Sequence, residues 1–156
     1  MIRITSLVIL CLLVSPALAQ QPRPAKPERG LISVGYGSDF GIFVEAPAAN
    51  PGPKVEAWVW MILKAPKQLS GTSYDMTVSR DVIDCAGWTR TQLYADGFLG
   101  ETYLGRSPGE GGATAIASPV DNAFAKIICG KTDVSKDATI RDIAAARALT
   151  AAHFRR

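Results

Sequence analysis

The stretch Lys54-Val55-Glu56-Ala57-Trp58-Val59-Trp60-Met61-Ile62-Leu63 decides the fold, because both of its alternating sets of side chains are apolar. In a strand, successive side chains point to opposite faces. Val55, Ala57, Val59, Met61 and Leu63 therefore share one face, and Trp58, Trp60 and Ile62 share the other. A sheet with one wet face alternates apolar with polar residues, so a strand of this kind belongs at the centre of a sheet with something packed over each side.

The surrounding sequence supplies neighbours for such a strand. Short apolar runs punctuated by Gly, Pro, Asn and Asp read as an antiparallel meander, with strands over 31–36, 40–45, 54–63, 74–85, 88–95 and 98–106. Gly37-Ser38-Asp39 is a turn between the first two, Asp96-Gly97 is a hairpin signal between the last two, and 46–53 is an irregular Pro/Ala loop. Ser118-Pro119-Val120-Asp121 then gives an N-cap hydroxyl, a proline at the first helical position and a carboxylate three residues past the cap. The helix that follows carries the stripe Val120, Ala123, Phe124, Ile127 and Ile128 and stops at Gly130. An alanine-rich second helix is predicted over 135–154, with a weaker stripe of Ile140, Ile143 and Ala144 that either packs loosely or covers the second sheet face.

Of three cysteines, Cys11 lies in an N-terminal apolar run, Leu7 to Val14, preceded by Arg3 and followed by Ser15-Pro16-Ala17-Leu18-Ala19. That arrangement reads as a cleavable export signal over 1–19, with cleavage before Gln20, and it is far shorter than the roughly 20 apolar residues a membrane span needs. Lipid attachment at Cys11 is disfavoured, because Leu10 precedes it and apolar residues follow it. Cys85 and Cys129 remain, in a compartment that permits oxidation, and a bond between them would pin the first helix to the end of the fourth strand. The expected location is the periplasm or the cell surface. Residues 20–30, with Pro22, Pro24 and Pro27, read as an extended, poorly packed arm. The expected organisation is thus an α+β domain over 31–130, an antiparallel sheet of about six strands with a helix tethered across one face by a disulfide, and a C-terminal helix over 131–156.

Net charge and residue types exclude several functions. A formal charge of +3, less Arg3 after cleavage, with scattered cations, does not predict nucleic-acid binding. The closing cations Arg147, His153, Arg155 and Arg156 read as complements to a helix C-terminus. A lone histidine, His153, makes a Ser/His/Asp triad, a zinc site or a haem ligand poorly founded, and no cofactor is expected. Asp81 and Asp84 are the only acids that suggest a catalytic pair, and strand-end ion pairs with Arg80 and Arg90 account for them. Gly109-Glu110-Gly111-Gly112 lacks the lysine and hydroxyl of a phosphate loop and reads as a connection. Trp58, Trp60 and Trp88, with Arg90, form the candidate interaction surface, set against the alternative that the indoles fill the core. A homodimer that buries the second apolar face of the Trp58 strand is a further option.

Gly41-Ile42-Phe43-Val44, the Trp-containing strand, Val82-Ile83-Asp84-Cys85 followed by Arg90, the Gly/Pro segment 105–112, and Ser118-Pro119 leading to Cys129 together resemble the surface-adhesin protein E family over about residues 31–130. The resemblance implies an antiparallel sheet with a disulfide-tethered helix. It also implies a small envelope protein that binds host extracellular proteins, dimerises and is linked to haem. This chain differs in lacking that family's lipid-attachment signal, in a Gly/Ala-rich connection without the expected tryptophan, and in its additional C-terminal helix. The expectation is a non-enzymatic exported protein that binds a host-matrix or envelope protein. The alternative is a periplasmic accessory module without a host ligand.

Overall fold

The computed structural model describes residues 26–48, 50–69, 71–132, 134 and 139–156, so the expected signal peptide and residues 20–25 of the arm lie outside the described residues. Six strands of useful length are present: β1 (Leu31–Tyr36), β2 (Phe40–Glu45), β3 (Lys54–Leu69), β4 (Thr72–Asp84), β5 (Thr89–Leu99) and β6 (Thr102–Pro108). Two short ones, β7 (Thr114–Ala115) and β8 (Thr139–Ile140), join them, with helices α1 (Pro119–Ile128) and α2 (Ile143–His153). The sheet therefore has eight strands rather than six. It runs β6-β5-β4-β3-β2-β1-β8, with β7 beside the first residues of β5, and every pairing is antiparallel. Two residues are too few to show a period, which is why β7 and β8 leave no trace in the sequence pattern.

The central position expected for β3 is observed, and both of its faces are covered. On the Val59 face, Ile32, Val44, Ala57, Val59 and Ile83 pack against Phe124, Ala125, Ile127 and Ile128 of α1. On the Trp60 face, Leu31, Phe43, Trp60, Ile62, Met76, Val78 and Phe98 form a second core with Ala146 of α2. The second helix thus covers the second face. Gly41 explains how it comes so close, since a Cβ there would lie 2.7 Å from Thr150 Oγ1 and 3.0 Å from Phe43 Cε2.

Each helix end follows from its residues. Ser118 Oγ accepts from the Asp121 N–H at 3.0 Å, and Pro119 occupies the first turn where its missing N–H costs nothing. At the other end Gly130 takes φ +64°, and the bonds Lys131 N–H to Lys126 O and Gly130 N–H to Ile127 O close a Schellman motif. The second helix starts later than predicted, because Asp142 caps it by accepting from the Ala145 N–H at 2.8 Å, while Thr139 and Ile140 are extended against β1. The predicted start at 135 lies outside the described residues.

Two other boundaries move. Asp96-Gly97 is not a turn. The β5–β6 hairpin turns at Gly100 and Glu101, and Asp96 lies mid-strand opposite Arg106, which donates to both of its carboxylate oxygens at 2.8 and 2.9 Å. Phe98, only 1 % exposed in the Trp60-face core, keeps β5 extended past the point where the dipeptide suggested a reversal. Likewise β3 continues through Lys64–Leu69 as an exposed arm paired with the start of β4 across a bulge, a stretch without the apolar alternation used to recognise strands. Residues 27–30 also differ from the loose arm expected: Pro27 and Gly30 are buried, and the N–H groups of Glu28 and Arg29 both donate to buried Glu45.

Cys85 and Cys129 form the expected disulfide, with Cα atoms 5.7 Å apart and a sequence separation of 44. It joins the end of β4 to the last turn of α1, so the helix is held to the Val59 face at its C-terminus. Among the described residues no helix is long and apolar enough to cross a membrane.

Candidate binding face

The predicted interaction residues do not share a surface. Trp60 is fully buried in the Trp60-face core and is corrected from surface to core, as its position directly between Phe43 of β2 and Val78 of β4 requires. Trp58, on the same face, is half-buried, with Tyr94 edge-on at 6.2 Å and the Arg80 guanidinium 5.3 Å from its ring. Arg80 pairs with Glu56 across the strand, not with Asp81 or Asp84. Trp88 closes the β4–β5 turn at φ +51°, a conformation that side chains with a Cβ rarely adopt, and packs against the Val59-face core with Lys131 4.3 Å above its ring. The half of the β3 surface that a homodimer was expected to bury is the half already occupied by α2.

Arg90 is the one predicted residue on the open part of the Val59 face. Its guanidinium is shared by two acids, with Nε 2.9 Å from Asp81 Oδ2 and Nη1 2.9 Å from Asp121 Oδ1. This ties the start of α1 to β4 and β5, at the end opposite the disulfide. Asp81 is fully buried, and burial raises its pKa above the ordinary carboxylate value of 3.8 although Arg90 and Ser79 act in the other direction. Asp84, three residues along and hence on the other face, accepts from the Ala86 and Gly87 N–H groups; those bonds, Gly87 first, lower its pKa. The two acids do not face each other across a cleft. Among the described residues no three His, Cys, Asp or Glu side chains gather as a metal site.

The helix α1 covers only part of the Val59 face. Beyond its N-terminus the face stays open over β4, β5 and β6, in two adjoining hollows that share Thr77. The outer hollow, about 310 Å³, is floored by Thr77, Ala95, Gly97, Gly105 and Ser107 and bordered by Leu69, Tyr74 and Leu104. Its depth comes from small residues: Gly97 lies opposite Gly105 and Ala95 opposite Ser107, so four adjacent ladder positions project almost no side chain. A Cβ added at Gly97 would meet nothing within 4 Å. Leu69, 68 % exposed at the end of the β3 arm, and Leu104, 36 % exposed, give the rim an apolar character. The inner hollow, about 190 Å³, lies under α1 between Met61, Val59 and Phe124 on one side and Ser79, Arg90, Gln92 and Asp121 on the other.

Sequence reading missed this groove, although a signal existed. Small residues recur at every second position, 95 and 97 on one strand and 105 and 107 on the next, and that periodicity on paired strands marks a face stripped of side chains. A third hollow of about 250 Å³ lies between the Pro47–Gly52 loop and Glu56, at the other end of β3. Compared with protein-family models, curated proteins and solved structures, the chain matches none.

Proposed function

We propose that this chain is an exported, non-enzymatic binding protein that engages a protein partner, of the host matrix or the cell envelope, through the open half of its Val59 face. The observation that carries the reading is the groove with an apolar rim and a floor of Ala95, Gly97, Gly105 and Ser107, on a face that α1 leaves uncovered. An open hollow beside an exposed hairpin arm suits an extended segment of another protein better than a small substrate, which favours enclosed, largely apolar pockets with convergent polar groups. Exposed apolar side chains rimmed by polar ones are the usual mark of a docking surface. The resemblance to the surface-adhesin protein E family supports the same class of function, and a disulfide across the domain suits an oxidising compartment.

Treatment of intact producing cells with an external protease, followed against a periplasmic control, tests the location. Degradation of this chain with the control spared is the expected result. Protection of both would remove the surface reading and leave the accessory role inside the envelope.

A further inference from the structure

We propose that the outer hollow receives the aromatic ring of a side chain from the protein partner, laid flat over the facing glycines Gly97 and Gly105. This deepens the binding reading above and rests on it. Glycine inside a strand costs stability, and it marks a bulge, a tight bend or a place where something from outside comes close to the backbone. Gly105 belongs to the first kind, since it takes φ +146° beside Leu104, the residue of β6 left without a partner where the β5–β6 register shifts. Gly97 fits neither of the first two. It lies on the partner strand without a left-handed φ, and a Cβ there would meet nothing within 4 Å. Close approach from outside is the remaining reason for a glycine at this place.

The shape and charge of the hollow select what approaches. Gly97 faces Gly105, and Ala95 faces Ser107 in the next row of the same face, so the peptide planes lie almost bare over an area about 5 Å across the strands and about 7 Å along them. That is the footprint of one ring. An aromatic side chain over a cross-strand glycine restores the burial that the missing Cβ forfeits, and among the described residues none lies over either glycine, since an added Cβ at each would meet no atom within 4 Å. Asp96 and Arg106 are the only charged residues lining the hollow among those described, and they neutralise each other through bonds at 2.8 and 2.9 Å. A charged occupant would lose its hydration without gaining a partner, so electrostatic complementarity asks for a neutral one. A saturated side chain of equal volume is puckered and touches a flat floor with fewer atoms than a planar ring does. Leu69 and Leu104 flank the ring's edges, and Tyr74 stands at the border where an edge-on contact forms.

The test titrates the disulfide-bonded chain with Nα-acetyl-phenylalanine methylamide and, separately, with its cyclohexylalanine counterpart, which keeps the volume and loses the flat ring. In NMR spectra the amide shifts of Thr77, Gly97 and Gly105 report occupancy, and a ring lying over the floor moves the α-protons beneath it upfield. The phenylalanine probe is expected to bind at least about tenfold more tightly than the cyclohexyl probe, with upfield α-protons at Gly97 and Gly105. Equal affinities, binding without the upfield displacement, or no shifts with either probe each overturn the proposal. Gly97→Val puts a branched side chain where the ring would lie, and undiminished binding of the phenylalanine probe to that variant would overturn it as well. The groove reading fails separately, when Gly97→Phe leaves binding of a whole partner protein unchanged; it stands without the aromatic inference when that variant weakens partner binding while the two small probes bind alike.

Discussion

Replacing both Cys85 and Cys129 by alanine is expected to release α1 before it unravels the sheet. The disulfide closes a loop spanning 44 residues, which holds β5, β6, β7 and the whole of α1. Chain-entropy arithmetic for that length gives about 4 kcal/mol of stabilisation, against a total of roughly 5–15 kcal/mol for a domain of ordinary stability. The helix keeps other attachments. Phe124, Ala125, Ile127 and Ile128 remain buried, and Arg90 still holds Asp121 near its first turn. With its C-terminal tether gone, α1 should open from the Ile128 end by a local transition that leaves β3 and β4 protected. Urea unfolding of the wild-type and double-alanine chains gives the global difference, and hydrogen exchange at the amides of α1 and β3 gives its distribution. A destabilisation below about 1 kcal/mol, with α1 exchange unchanged, would refute the reasoning. Equal loss of protection in α1 and β3 would show that helix and sheet open as one unit.

Arg90→Ala should cost roughly 3–5 kcal/mol near neutral pH, because it leaves Asp81 buried and unpaired; urea unfolding should show the loss shrinking in acid as Asp81 neutralises, and recovering when Asp81→Asn is added. Gly41→Val should displace α2 by thrusting methyl groups toward Thr150 and Phe43, at about 1–3 kcal/mol, visible as faster exchange in α2 with α1 unaffected. Acid should also loosen α2 through Asp75. Burial would raise the pKa of that carboxyl, but the two bonds from Arg147 at 2.8 and 2.9 Å and one from the Gly100 N–H outweigh it, and the pKa falls below 3.8. A depressed carboxyl stabilises the fold above its ordinary pKa, and that contribution is lost as pH falls through the folded value. Asp75→Asn should therefore flatten the acid limb of α2 exchange, and an unchanged limb would contradict the assignment. Asp81, raised rather than lowered, has the opposite sign and makes stability fall with rising pH from 3.8 to its folded value.

Much of the fold was legible because β3 advertises two apolar faces and because caps are local chemistry. Strands β1 and β2 fall where the residues place them, and α1 begins within a residue of the position that Ser118 and Pro119 specify. The errors arise where a tertiary contact outvotes a local signal. Asp96-Gly97 looks like a turn until Arg106 is seen holding Asp96 from the neighbouring strand, and Trp58 and Trp60 look alike until α2 covers one and leaves the other at its margin. The candidate site was less legible still. Its floor is made of residues notable for having little or no side chain, and the pairing that sets Gly97 against Gly105 is a matter of register between strands. The Asp81–Arg90–Asp121 cluster joins residues up to 40 positions apart, and only Arg90 with Asp81 was visible as a pair in the sequence.

Filling the groove tests the binding reading most directly. Gly97 faces open space, and a side chain is favoured over glycine within a strand, so Gly97→Phe should fold at least as stably as the wild type while occupying the floor of the outer hollow. Surface-immobilised extracellular-matrix proteins, screened for binding to the wild-type chain, would supply the partner for the comparison. The account predicts that a matrix protein binds the wild type and that Gly97→Phe weakens this by at least about tenfold with unfolding midpoints unchanged. Undiminished binding by a stably folded Gly97→Phe chain would place the contact elsewhere and contradict it.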